Sequence, residues 1–295
     1  MYPAPGMSNV DQFESVFRSA AKARFAYAPQ RIRKILVVTD MTEEPARAFT
    51  ARLRGFLESA LSDGGDEGPV WREVVGAEYD NVEQLLALVE TEEPDLICTY
   101  RHLHSEAWGF QYSLGEYLDV LSQATDVPVL AVPHPDAQRE ASHAMRNTDV
   151  VMAITDHLTG SDKLVNMAAR FTQPKGRLWL THVEDEPAFE RIIEAISKIP
   201  TIDTAHARDE IQAQLLKEPH EYVATCREGL SKAGLSLELD DLVVMGHHLS
   251  AYRRLVGDHE VDLLVMNTKD EDQLAMHGMA YPLAIELRGI PLLLL

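Results

Sequence analysis

The chain states one arrangement twice, and this limits its fold more than any other feature. Ile35-Leu36-Val37-Val38-Thr39-Asp40 returns as Val151-Met152-Ala153-Ile154-Thr155-Asp156, and Asp95-Leu96-Ile97-Cys98-Thr99 returns as Asp262-Leu263-Leu264-Val265-Met266. Each copy closes with a glycine, a helical stretch and a proline that opens an apolar run. The spacing is the same in both: Gly115 to Pro128, and Gly278 to Pro291. The repeat is far longer than the roughly 20–50 residues of a solenoid unit. It reads as two copies of a complete domain, which 295 residues accommodate.

Each copy alternates strand and helix. In the first, the pattern predicts strands over 32–39, 70–75, 95–99 and 128–132, with helices over 42–61, 81–92 and 113–125. In the second, it predicts strands over 149–155, 177–183, 236–245, 261–266 and 290–295. Helices are expected over 161–171, 187–198, 207–233, 249–258 and 278–288. The longest of these contains Pro219 or is broken near it. Several strands are apolar at consecutive positions, the pattern of a strand buried on both faces. The fold class expected is therefore α/β, with two doubly wound, mostly parallel sheets related by pseudo-two-fold symmetry.

The expected organisation is an extension over 1–30, a shortened first domain over 31–134, a linker over 135–147 and a second domain over 148–295. Spacing locates the shortening. Asp156 to Asp262 is nearly twice Asp40 to Asp95, so the first copy is expected to lack the unit matching 177–233. Residues 8–26 have no counterpart. Val10, Phe13, Phe17, Ala20, Ala21 and Phe25 predict an added helix covering something the first copy leaves open.

Charge excludes some partners. Asp and Glu number 47 against 27 Lys and Arg, a net charge of −20, which disfavours nucleic acid and anionic membrane. No apolar run is long enough for a transmembrane helix, and the start lacks a signal-peptide pattern, so a cytoplasmic protein is expected. Cys98 and Cys226, alone in a predicted strand and a predicted helix, read as small buried side chains. His247-His248 has no ligand partner at metal spacing, and no metal is expected. No nucleophile elbow, Walker loop or dinucleotide fingerprint occurs, and no enzyme activity is expected.

The ordered series of a strand ending in Thr-Asp, a strand ending in His182-Val183-Glu184, the Asp262-Leu263-Leu264-Val265-Met266 strand, a glycine-opened helix and a Pro-led terminal strand resembles the universal stress protein family. The second copy matches along its length and the first except for the missing unit. The resemblance implies a tandem, non-enzymatic stress-response or regulatory protein acting on protein partners. The alternative is a sensor of AMP or ATP. It also implies a nucleotide site at the carboxyl ends of the strands. Thr39, Asp40 and Gly115 would contribute in the first copy, and Thr155, Asp156, Val183 and Gly278 in the second. The last strands of two such domains pair, so 128–132 is expected against 291–295, giving an intramolecular pseudo-dimer. A homodimer of chains stays open.

The family's phosphate loop, Gly-x2-Gly-x9-Gly-(Ser/Thr), is degraded here. His102 and Ser105 replace its first two glycines in one copy, Val265 and Thr268 in the other, and Glu116 and Met279 replace the hydroxyl residue. Glycine lets backbone N–H groups approach a phosphate, and side chains fill that space. No cofactor is therefore firmly expected, with an adenosine or AMP pocket left open. Asp40 and Asp156 also read as helix-capping residues. Arg101, His102 and His104 read as a loop packing aromatics onto the sheet end, or as an anion grip without glycines.

Overall fold

The computed structural model describes residues 23–62, 68–109, 112–137, 140–155, 158–268 and 280–295. Its strands are β1 (Lys34–Val38), β2 (Val70–Val74), β3 (Leu96–Tyr100), β4 (Val129–Val132), β5 (Val150–Ile154), β6 (Arg177–Asp185), β7 (Glu238–Gly246), β8 (Leu263–Met266) and β9 (Leu292–Leu294). Its helices are α1 (Glu43–Leu61), α2 (Val82–Glu92), α3 (Glu116–Ala124), α4 (Asp162–Phe171), α5 (Glu186–Ser197), α6 (Thr204–Lys232), α7 (His248–Asp258) and α8 (Ala280–Glu286). Helix α6 runs unbroken through Pro219. No described helix is long and apolar enough to cross a membrane.

The nine strands among the described residues form one sheet, in the order β2-β1-β3-β4-β9-β8-β5-β6-β7. Every neighbouring pair is parallel except β4 with β9. That antiparallel seam matches Val129 to Leu294, Leu130 to Leu293 and Ala131 to Leu292, the pairing expected from two apolar strands of matching position. It removes what would otherwise be two apolar edges. Leu130 and Leu293 are fully buried, each contributing about 1.5–3 kcal/mol by leaving water. Residues 35–38 and 151–153 are also fully buried, as strands covered on both faces require.

Two aspartates do matching work at the amino ends of the strands. The Asp95 carboxylate accepts from the N–H groups of Arg33 and Lys34, at 2.8 and 2.9 Å. The Asp262 carboxylate accepts from the Val150 N–H at 2.9 Å. Each ties the start of one strand to the start of its neighbour, which accounts for the repeated aspartate.

The topology corrects the position of the missing unit. Strand β2 pairs beside β1, as β6 pairs beside β5. The strand without a counterpart is the outer β7, together with α5 and α6, and not the strand over 177–183. Spacing reveals that residues are missing between two anchors but not which strand position they vacate. The first half ends at the edge strand β2. Arg72 on this edge bonds Glu78 and Glu92, and Arg54 stacks over Trp71.

The N-terminal segment is described from residue 23 onward. Residues 8–22 of the expected helix lie outside the described residues, and 23–26 are irregular. The described strap over 25–28 lies against α4 and α6. Phe25 N–H donates to Thr225 Oγ1, Ala26 N–H to Asp162 Oδ2 and Ala28 N–H to Asn166 Oδ1, at 3.0–3.1 Å. The Phe25 ring lies where a Cβ at Gly229 would stand, 2.6 Å away.

Candidate functional site

The carboxyl ends of β1 and β3 bring together Thr39, Asp40, Tyr100 and the loop residues 101–104. Such ends are where parallel sheets bind ligands. Here the chain's own groups occupy the polar positions. One Asp40 carboxylate oxygen accepts from the Tyr100 hydroxyl. The other accepts from the His104 backbone N–H at 2.8 Å. The Asp40 N–H donates back to the Tyr100 hydroxyl oxygen at 3.2 Å. The buried Thr39 is used as well: its C=O accepts from the Tyr79 hydroxyl at 3.1 Å, and its own hydroxyl donates to Val74 O.

Rings complete this closure. Tyr79 meets His104 edge-on at 4.8 Å and Tyr117 at 5.5 Å, while Tyr100 meets Phe49 at 5.3 Å and His134 at 5.0 Å. Burial, then the Asp40 charge, pushes the Tyr79 hydroxyl well above the usual phenol range. Burial and the hydrogen bond to Asp40 do the same for Tyr100. Both therefore stay neutral donors.

The loop reaches Asp40 through left-handed backbone at His102 (φ 60°) and His104 (φ 53°). Gly115 stands before α3 with φ 90°, and a Cβ there would lie 2.7 Å from the backbone N and Cα of His102. So the retained glycine serves close packing against His102, whose N–H donates to Leu114 O.

In the second half, Tyr252 of α7 performs the comparable closure. Its hydroxyl oxygen accepts from the Val183 N–H at 3.0 Å and donates to Thr155 O at 3.4 Å. Tyr252 and Val183 are fully buried. Asp156 and Gly278 lie outside the described residues. His182 is buried, with its Nε2 3.1 Å from Glu184 Oε2. His247 precedes α7 as its N-cap, and no cluster of potential metal ligands occurs among the described residues.

The residues that sequence reasoning missed are the tyrosines: Tyr79, Tyr100, Tyr117 and Tyr252. Tyr100 directly follows the repeated strand motif, and that placement was the available signal. The others come from separate elements and carried none. A cavity of about 770 Å³ lies elsewhere, at the amino ends of the strands, lined by Tyr27, Arg33, Leu61, Asn166, Arg170 and Leu235 among others.

No protein-family model matches the chain, and no curated protein matches it. Among solved structures it is similar to a functionally unknown protein, PA1789, from Pseudomonas aeruginosa PAO1. The identity is 14%, over 90% of this chain and 93% of that one, with a TM-score of 0.47. A protein described as a universal stress protein from Pseudomonas aeruginosa UCBPP-PA14 shows 15% identity over 90% and 94%, with a TM-score of 0.48. The hypothetical protein MJ0577 shows 16% identity over 50% of this chain and 96% of its own, with a TM-score of 0.39. The protein is α/β with a central, mostly parallel sheet.

Proposed function

We propose that the chain is a tandem universal stress protein, a non-enzymatic stress-response or regulatory protein whose nucleotide sites are closed by its own side chains. The observation that carries this reading is the pairing of Asp40. Both carboxylate oxygens already hold hydrogen-bond donors from Tyr100 and His104. An adenosine would have to displace a buried tyrosine and a loop, losing bonds it cannot replace in kind. The occupied Val183 N–H and Thr155 C=O support the same reading in the second half.

The tandem part rests on topology. The orders β2-β1-β3-β4 and β6-β5-β8-β9 correspond strand for strand about the β4–β9 seam. With its pockets filled, the protein would act through surfaces that meet protein partners in the cytoplasm. Titration calorimetry with ATP and with AMP tests the reading. No saturable heat at millimolar ligand is expected. Micromolar binding abolished by Asp40→Ala or Asp156→Ala would overturn it in favour of a nucleotide sensor.

A further inference from the structure

The cavity of about 770 Å³ at the amino ends of the strands takes its walls from both halves. The chain between residues 27 and 33 forms one wall on its way into β1. The ends of α1 and α4 and the turn leading into β7 form others. The volume lies within the roughly 300–1,000 Å³ of sites that take small molecules.

Burial divides the lining into two zones. Ile32 and Leu61 are buried and Leu235 is half-buried, while Arg31 and Arg33 stand exposed at the rim. No Asp or Glu is among the described residues that line the cavity, in a chain that has 47 of them. The neighbouring carboxylates are turned elsewhere. Asp95 accepts from the backbone N–H groups of Arg33 and Lys34, and Glu238 pairs with Arg177 at 2.8 Å.

The carboxyl ends of α1 and α4 reach the cavity and carry partial negative charge. Their carbonyls already have donors. Glu58 O accepts from the Ser62 N–H, Ala168 O from the Thr172 N–H, and Ala60 O from the Arg170 guanidinium. Capping the helices therefore accounts for Arg170 but not for Arg31 and Arg33. Guanidinium forks match carboxylates, and an apolar wall next to them favours a ligand that is apolar at one end.

We propose that this cavity binds one free amphipathic carboxylate, its apolar chain on Ile32, Leu61 and Leu235 and its head at Arg31 and Arg33. The site lies at the opposite ends of the strands from the closed pocket at Asp40 and does not depend on it. The net charge of −20 repels an anionic bilayer, but screening within about 8–10 Å leaves the local arginines to act on a single molecule.

The test titrates the full chain with decanoate below its micelle concentration, at constant ionic strength, by calorimetry. One saturable decanoate per chain is expected, with a rise in Tm. Each methylene moved out of water tightens binding about fourfold, so octanoate should bind roughly tenfold more weakly and acetate should not saturate. Exposed charge pairs contribute little individually. Arg31→Ala with Arg33→Ala should thus weaken decanoate about threefold to tenfold, and leave the uncharged decanol unchanged. Both arginines are exposed, so the double variant should fold as wild type does; circular dichroism checks this. Were it to unfold, Arg31→Gln with Arg33→Gln, which keeps most of the side chain, should show the same loss. Wild-type protein that does not saturate with decanoate, or that takes up many per chain, would overturn the proposal. So would decanol binding as tightly as decanoate, or decanoate affinity that survives loss of both arginines.

Discussion

Tyr100→Phe removes one oxygen from the centre of the closed pocket and leaves the ring. Tyr100 is 1% exposed, and its ring contacts with Phe49 and His134 survive the change, so no cavity opens. Two hydrogen bonds disappear, one donated to the Asp40 carboxylate and one accepted from the Asp40 N–H. A bond to a charged group contributes about 1.5–3 kcal/mol. Asp40 is only half-buried and keeps the His104 N–H, so water can replace part of the loss. The expected destabilisation is about 1–2 kcal/mol, or a fall in Tm of about 2–6 °C for a chain of this size.

Urea unfolding followed by circular dichroism measures this change. A double-mutant cycle with Asp40→Ala should return a coupling of about 1 kcal/mol, as expected for directly bonded residues. Nucleotide binding should not appear in Tyr100→Phe, because the ring still fills the space. A variant within about 0.3 kcal/mol of wild type and showing no coupling would mean that Asp40 is not held by Tyr100. The pocket at Asp40 would then not be closed by its own side chains.

Three further outcomes are expected. Gly115→Ala forces a side chain into left-handed backbone 2.7 Å from His102 and should cost at least about 2 kcal/mol in a denaturant titration; a loss below about 0.5 would contradict the loop packing. Burial raises the Asp119 pKa to about 6 from 3.8. The stability this group contributes is therefore complete below about pH 4 and lost as pH rises through 6. Asp119→Asn should accordingly stabilise the protein at pH 8 relative to pH 4, by about 1–2 kcal/mol once partial exposure is discounted, and equal effects at both pH values would refute the assignment. Gly229→Ala pushes against the Phe25 ring, so limited proteolysis should cut the strap near residues 23–30 faster than in wild type, with the core unaffected.

The fold was legible because each strand carries its own burial in its composition. Runs such as Ile35–Val38 and Leu263–Met266 can only be buried on both faces, and the turns between them are set by local residues. Matching terminal runs also announced the β4–β9 seam. The position of the missing strand was not legible, because spacing counts residues without assigning them to a place in a sheet. The path of residues 25–28 was not legible either, because their backbone bonds go to Asp162, Asn166 and Thr225, more than a hundred residues away.

The candidate site divides in the same way. Sequence alone marked Thr39, Asp40, Thr155 and Val183 as groups at the ends of strands. Only the tertiary structure decided what those groups touch. Tyr79, Tyr100 and Tyr252 arrive from a turn, a neighbouring strand and a helix, and their hydroxyls bond Thr39 O, the Asp40 carboxylate and the Val183 N–H. Hydrogen bonding is short-ranged and directional, so its partners are fixed by where packing leaves each side chain, while burial along a strand is fixed by the strand's own residues.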